Sequence, residues 1–195
     1  MFNKCKKGDY GYLKAYRREK LIISLILAVM IAFIIVSMLL LFGDTGRVLI
    51  VFAILLTLPF AKFFIAWIVC AKFTPLTTEE YDRLTDMVGE KDNNISGLKF
   101  DMVISQYEGM KFYQSICVKN GKIAALVLSK DYGILNKEYK AWIEKTVADS
   151  KYNYPITIFN DIDSYAKKVK SISTPNDKTA LIDKHILEKI TTTCV

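Results

Sequence analysis

Histidine occurs once in the 195 residues, at His185, which excludes a histidine-based metal cluster within one chain. The four cysteines, Cys5, Cys70, Cys117 and Cys194, are scattered, and no two have the close spacing that a zinc site or a redox motif uses. They read as free thiols. Cys194 is next to last, whereas a prenylation box needs cysteine fourth from the end. There are no internal repeats, and no motif specifies a reaction or a cofactor, so neither a catalytic nor a cofactor-binding residue is expected. Charge is missing from the 22 residues Leu21 to Phe42, where Ser24 and Ser37 are the only polar members. No water-soluble fold explains such a run.

At ~1.5 Å per residue that run covers ~33 Å, against a bilayer core of about 30 Å. Val48 to Ala71 is a second apolar run of 24 residues, interrupted by Pro59 and Lys62. Gly43, Asp44, Thr45, Gly46 and Arg47 join the two, so the reading is a transmembrane helical hairpin over 21–72, with spans at 21–42 and 48–71. In the connection, Gly43 suits a left-handed helix end and Asp44 or Thr45 a helix cap. Five residues leave no room for an external domain. The first run is too long for the core of a cleaved secretory signal, and a second span follows it at once.

The formal net charge of +7 is not spread evenly. Residues 1–20 hold seven basic residues against Asp9 and Glu19, and residues 73–195 hold 17 basic and 17 acidic ones. The α+β part is therefore neutral, and a nucleic-acid partner is not expected. Lys4, Lys6, Lys7, Lys14, Arg17, Arg18 and Lys20 alternate with Tyr10, Tyr12, Leu13 and Tyr16, a mixture suited to lipid head groups at the inner leaflet. Seven basic residues before the first span against Arg47 in the connection orient the chain. A multi-pass protein of the cell membrane with both termini cytoplasmic is expected.

From Phe73 the composition changes, with Pro75 at the boundary. Thr77 and Glu80 fit a capping box ahead of Tyr81, Leu84 and Val88, on a helix ending near Gly89. Gly97–Ser105 alternates as a strand, with Phe100, Met102 and Ile104 on one face. Met110–Lys119 repeats the pattern with Phe112, Gln114, Ile116 and Val118. Asn120-Gly121 is a two-residue hairpin turn, and Lys122–Ser129 beyond it reads as a central strand covered on both faces. Asn136 is expected to cap a helix carrying Tyr139, Trp142, Ile143, Thr146 and Val147, and Tyr154–Phe159 is a fourth strand. Asp161 opens a helix with Ile162, Tyr165, Ala166 and Val169. A last helix after Pro175 carries Leu181, Ile182, His185, Ile186 and Ile190. The order α-β-β-β-α-β-α-α gives a small α+β domain, 73–195, on a mixed four-stranded sheet.

The same order is the core order of the restriction-endonuclease-like fold, whose enzymes place two carboxylates and a lysine around a divalent cation. Asp101 could be the first acid, but the next strand offers Tyr113, Gln114, Ser115 and Ile116, and Glu108 and Lys111 sit at the turn with the wrong spacing. An enzyme would need a cleft gathering Asp101, Glu108, Lys111 or Lys119. Asp161 and Asp163 lie in a first helical turn, where they complement the dipole. His185 reads as a surface position, and Thr191–Thr193 as a frayed tail.

Met1-Phe2-Asn3-Lys4-Cys5-Lys6-Lys7-Gly8-Asp9-Tyr10-Gly11-Tyr12, then Leu58-Pro59 followed by Lys62, and the α+β order together carry a resemblance over most of the chain. It resembles a group of small uncharacterised two-span clostridial membrane proteins, some labelled O-linked GlcNAc transferase-like. The resemblance implies a bacterial membrane protein. An enzyme with that label resembles a helical-repeat array joined to a large two-lobed sugar-nucleotide domain. A chain of this length without repeats has neither part, so the label implies no activity.

The reading is a non-catalytic anchor or docking module at the inner face of a bacterial membrane. Its partners would be membrane lipids, a second copy of itself, or a membrane or cytoplasmic protein. The alternatives are a divergent enzyme on a nuclease-like or transferase scaffold and a subunit of a membrane transport assembly. Lys62, with Pro59 one turn before it, is the candidate intramembrane contact: it either stretches toward the head groups or faces Ser24, Ser37, Thr57 or a second hairpin.

Overall fold

Leucine, isoleucine, alanine and the basic residues are all good helix formers, and the first helix uses both kinds. In the computed structural model, which describes residues 5–40, 44–89, 97–129, 132–148, 154–172 and 177–194, α1 runs Tyr12–Leu40 and α2 runs Asp44–Ala71. Both are long and apolar enough to cross a membrane. Two expectations change here. Residues 12–20 are the start of α1 and not a separate lead, because Lys14 to Lys20 propagate an existing helix at little cost. Helix α2 begins at Asp44, so residues 44–47 are helical; Gly43 lies outside the described residues.

The chain divides into two units, Leu13–Thr74 and a second made of Met1–Tyr12 with Pro75–Val195. Within the first, Arg17 reaches the end of α2. Its Nε donates to the Cys70 carbonyl at 2.7 Å, and its Nη2 donates to those of Ala71, at 2.6 Å, and Phe73. A guanidinium there satisfies carbonyls that a helix end leaves open and offsets the dipole. Lys20 Nζ lies 5.3 Å from the centre of the Phe63 ring.

In the second unit, α3 (Thr78–Val88) has the expected capping box between Thr77 and Glu80 and ends at Gly89 in the left-handed conformation. Three antiparallel-paired strands follow, β1 (Leu98–Gln106), β2 (Gly109–Lys119) and β3 (Lys122–Leu126). Asn120 and Gly121 both have positive φ, 48° and 69°, as the two-residue turn requires. Then come α4 (Tyr132–Val147), β4 (Ile156–Phe159), α5 (Ile162–Ser171) and α6 (Asp177–Thr192). The sheet order is β1-β2-β3-β4, and β3 pairs with β4 in parallel, which makes the sheet mixed. Asn136 lies inside α4 rather than capping it, because the helix starts four residues earlier.

Helices α4 and α6 cover one face of the sheet, over Ile116, Val118, Ile123, Ala125 and Val127; α3 and α5 cover the other, over Cys117, Ala124 and Leu126. The two inner strands are thus buried on both sides, as the apolar run in β3 anticipates. In β1 the expected single face fails. Phe100 packs with Tyr81 of α3, whereas Met102 and Ile104 belong to the α4–α6 side. Strand β2 switches as well, since Tyr113 joins the α4–α6 core with Ile116 and Val118. The cause sits between Phe100 and Met102: Asp101 has φ 51°, a left-handed residue inside a strand, which turns the following side chains to the opposite face.

The stripe that α6 buries also differs from expectation. Leu181 and His185 are exposed, and Asp183, Ile186, Leu187, Ile190 and the following Cys194 are buried. Asp183 Oδ1 accepts from the Gly121 amide at 3.1 Å and the Tyr154 hydroxyl at 2.9 Å, so it fastens the β2–β3 turn to α6. These two bonds to Oδ1 offset part of the cost of burying the carboxylate, whose Oδ2 has no partner among the described residues.

Candidate functional site

Strand β1 is an edge strand, and an edge presents unpaired amides and carbonyls that must find partners. Two pieces from opposite ends of the chain supply them. The Phe100 amide donates to the Gly8 carbonyl at 2.9 Å, and the Ser105 amide donates to the Thr193 carbonyl at 3.2 Å, where Ile104 and Cys194 form an isolated bridge. The two pieces meet: Lys7 Nζ donates to the Cys194 carbonyl at 2.7 Å. Thr191–Thr193 is therefore fixed by pairing and is not a frayed tail.

Asp101 lies between the two straps. It is 2% exposed, and its Oδ2 accepts from the Gly11 amide at 2.9 Å. Aspartate is one of the few residues that tolerate the left-handed region, and here its carboxylate also gains a charge-assisted bond. Tyr10 stacks on Tyr81 with ring centroids 4.0 Å apart, meets Phe100 edge-on, and donates its hydroxyl to the Leu76 carbonyl at 3.3 Å. Gly8 has φ 87°, which strains any side chain, and a Cβ there would lie 2.6 Å from Lys99 Cδ and push the lysine chain aside. Residues 7–11 thus form a strap shaped to β1. At the other end of the edge, burial pushes the Cys194 thiol up to about 12, and it raises the Tyr113 hydroxyl too.

The acids and lysines considered for a nuclease are not brought together. Asp101 serves the strap. Glu108 accepts from Lys145, and Lys111 pairs with Glu138 at 2.7 Å with its ammonium over the Tyr139 and Trp142 rings. Lys119 is at the far end of β2, in register with Lys122. Gln114, beside Asp101 on the next strand, is buried and accepts from the Leu128 amide at 3.0 Å. No group of three or more potential metal ligands occurs among the described residues. Asp161 is the N-cap of α5, its carboxyl held below the usual range by the Ser164 amide, and Asp163 pairs with Arg83 at 2.7 Å.

Of the residues assigned to lipid head groups, Lys7 and Arg17 are directed to protein carbonyls; Lys6, Lys14 and Arg18 are exposed; Lys4 lies outside the described residues. Lys62 is exposed on α2, and Pro59 is within that helix. The hydroxyls of Ser24, Ser37 and Thr57 donate to carbonyls of their own helices, at Leu21, Phe33 and Ala53. Sequence reasoning missed Gly8, Gly11, Gln114 and Asp183. The usable signal was Gly8-Asp9-Tyr10-Gly11, a turn-like cluster too glycine-rich for an amphipathic helix. Comparison with protein-family models, curated proteins and solved structures finds no match for the chain.

Proposed function

We propose that α1 and α2 cross a bacterial membrane and hold the α+β unit at its cytoplasmic face, where it serves as a non-catalytic docking module. The observation that carries this reading is the apolar surface of the helix pair. Phe33 is 72% exposed, Leu40 74% and Leu58 70%, and none of the described residues covers them. In water each such side chain forgoes about 1.5–3 kcal/mol of burial, a cost that lipid removes. The excess of basic residues ahead of the apolar stretch of α1 orients both termini inward.

The chain enters the α+β unit twice, through residues 7–11 before α1 and through Pro75 after α2. A domain attached at both ends of a helix pair is tethered more tightly than one on a single linker, which suits a module that positions a partner at the membrane. Tyr107, fully exposed at the β1–β2 turn, is an aromatic of the kind that anchors protein contacts. Membranes from cells expressing the chain test the proposal: after washing at high salt and then at alkaline carbonate pH, the protein stays in the pellet. Release into the supernatant would make it peripheral or soluble and remove the basis of the reading.

A further inference from the structure

A groove of about 590 Å³ lies on the α+β unit where the strap, β1 and α6 converge, lined by Lys7, Lys99, Lys184, Leu187, Glu188, Thr191 and Thr192. That volume is within the range of small-ligand sites. Three lysines from three separate elements and one acid, Glu188, line it, so the lining carries a formal +2. Two of the lysines are held in place by the fold. Lys7 donates one N–H to the Cys194 carbonyl and keeps two for a ligand; the Lys99 stem lies against Gly8.

Lysines near the end of a helix often do no more than offset its dipole. Lys7 meets that description. Lys99 is on a strand and Lys184 is in the middle of α6, and among the described residues neither ammonium has an anionic partner. The floor under them is the buried side chain of Leu187. Like-charged side chains that line one groove beside an apolar residue favour an anion between them. A phosphate group offsets that charge, fully as a dianionic monoester and in part as a diester, and offers several oxygens to the three lysines.

We propose that this groove binds a phosphate-bearing anion through Lys7, Lys99 and Lys184. The phosphate belongs either to a free cytoplasmic compound or to a lipid head group. The proposal does not depend on the docking role, because the first arm of its test contains no anionic lipid.

The test is lysine acylation of the full chain read by mass spectrometry. In the first arm the chain is held in zwitterionic detergent and challenged with pyrophosphate at constant ionic strength. In the second it is placed in phosphatidylcholine nanodiscs with or without phosphatidylglycerol. At a probe concentration a few times its dissociation constant, mass action predicts that Lys99 and Lys184 label about threefold or more slowly, while the exposed Lys167 and Lys170 of α5 are unchanged. Protection by pyrophosphate identifies a free phosphate compound, and protection by phosphatidylglycerol alone identifies a head group. Lys99→Gln keeps the stem and should raise the pyrophosphate or lipid needed to protect Lys184 several-fold. Protection absent from both arms, shared equally by Lys167, or indifferent to Lys99→Gln would overturn the proposal.

Discussion

The Gly11 amide donates to the Asp101 carboxylate across 90 positions of sequence, at 2.9 Å, and so joins the strap to the one non-glycine residue of β1 with positive φ. A left-handed residue costs about 1–2 kcal/mol when its side chain offers nothing in return. A hydrogen bond to a charged group returns about 1.5–3 kcal/mol. Asp101→Asn keeps the tolerance for that conformation and loses the charge, so it should destabilise by about 1 kcal/mol. Asp101→Ala loses both, and about 2–4 kcal/mol is expected. Denaturant unfolding of the full chain measures both variants, and equal losses would mean that the conformation is not held by the carboxylate.

Tyr10 is the strap's aromatic anchor, stacked on Tyr81 and bonded to the Leu76 carbonyl. Tyr10→Ala should cost about 2 kcal/mol and expose residues 5–12 to proteolysis before the rest of the unit. A fragment from Pro75 to Val195 lacks the strap and leaves the Phe100 amide open. It should be less stable than the same unit in the full chain and recover when a peptide of residues 5–12 is added. A fragment as stable as the intact unit would show that the strap is dispensable.

The element order, the capping box, the Asn120-Gly121 turn and the buried faces of α4 and α5 were legible because each is encoded within a few neighbouring residues. The switch of faces in β1 was not. It depends on a backbone conformation at Asp101 that alternation alone cannot reveal, and on an amide 90 residues away. Asp183 was missed for a similar reason: a carboxylate looks like a surface residue until the Gly121 amide and Tyr154 hydroxyl that bond its Oδ1 are brought near by the tertiary fold. The basic residues of the first segment read as lipid contacts by type, whereas Arg17 finds the carbonyls at the end of α2.

Alkaline pH should loosen the α+β unit. Burial raises Tyr113 and Tyr165, and it pushes Cys194 from an ordinary value of 9.0 up to about 12. Folding therefore favours the protonated forms. Their contribution is complete below the ordinary thiol and phenol values and is lost as the pH climbs from about 9 toward about 12. Thermal midpoints recorded across that window should fall steadily. A flat profile would mean that these groups titrate as they do in the unfolded chain.

Lys62 is exposed on α2, and a lysine at the centre of a span costs about 2.5–3.5 kcal/mol on insertion scales. Its ammonium either stretches along the helix to the head groups or meets a partner such as a second copy of the hairpin. Under the first reading Lys62→Leu inserts as well as the parent or better and leaves the oligomeric state in nanodiscs unchanged. Loss of a dimer or higher assembly would instead mark Lys62 as a contact between copies.

The placement of the two helices across a membrane, with the α+β unit inside, is tested most directly by reporter fusions that are active only outside the cytoplasm. A reporter inserted in the connection between α1 and α2, at position 43, should be active, and one fused after Val195 should be silent. The opposite pattern, or activity at neither position, would contradict the orientation and with it the docking role assigned to the domain.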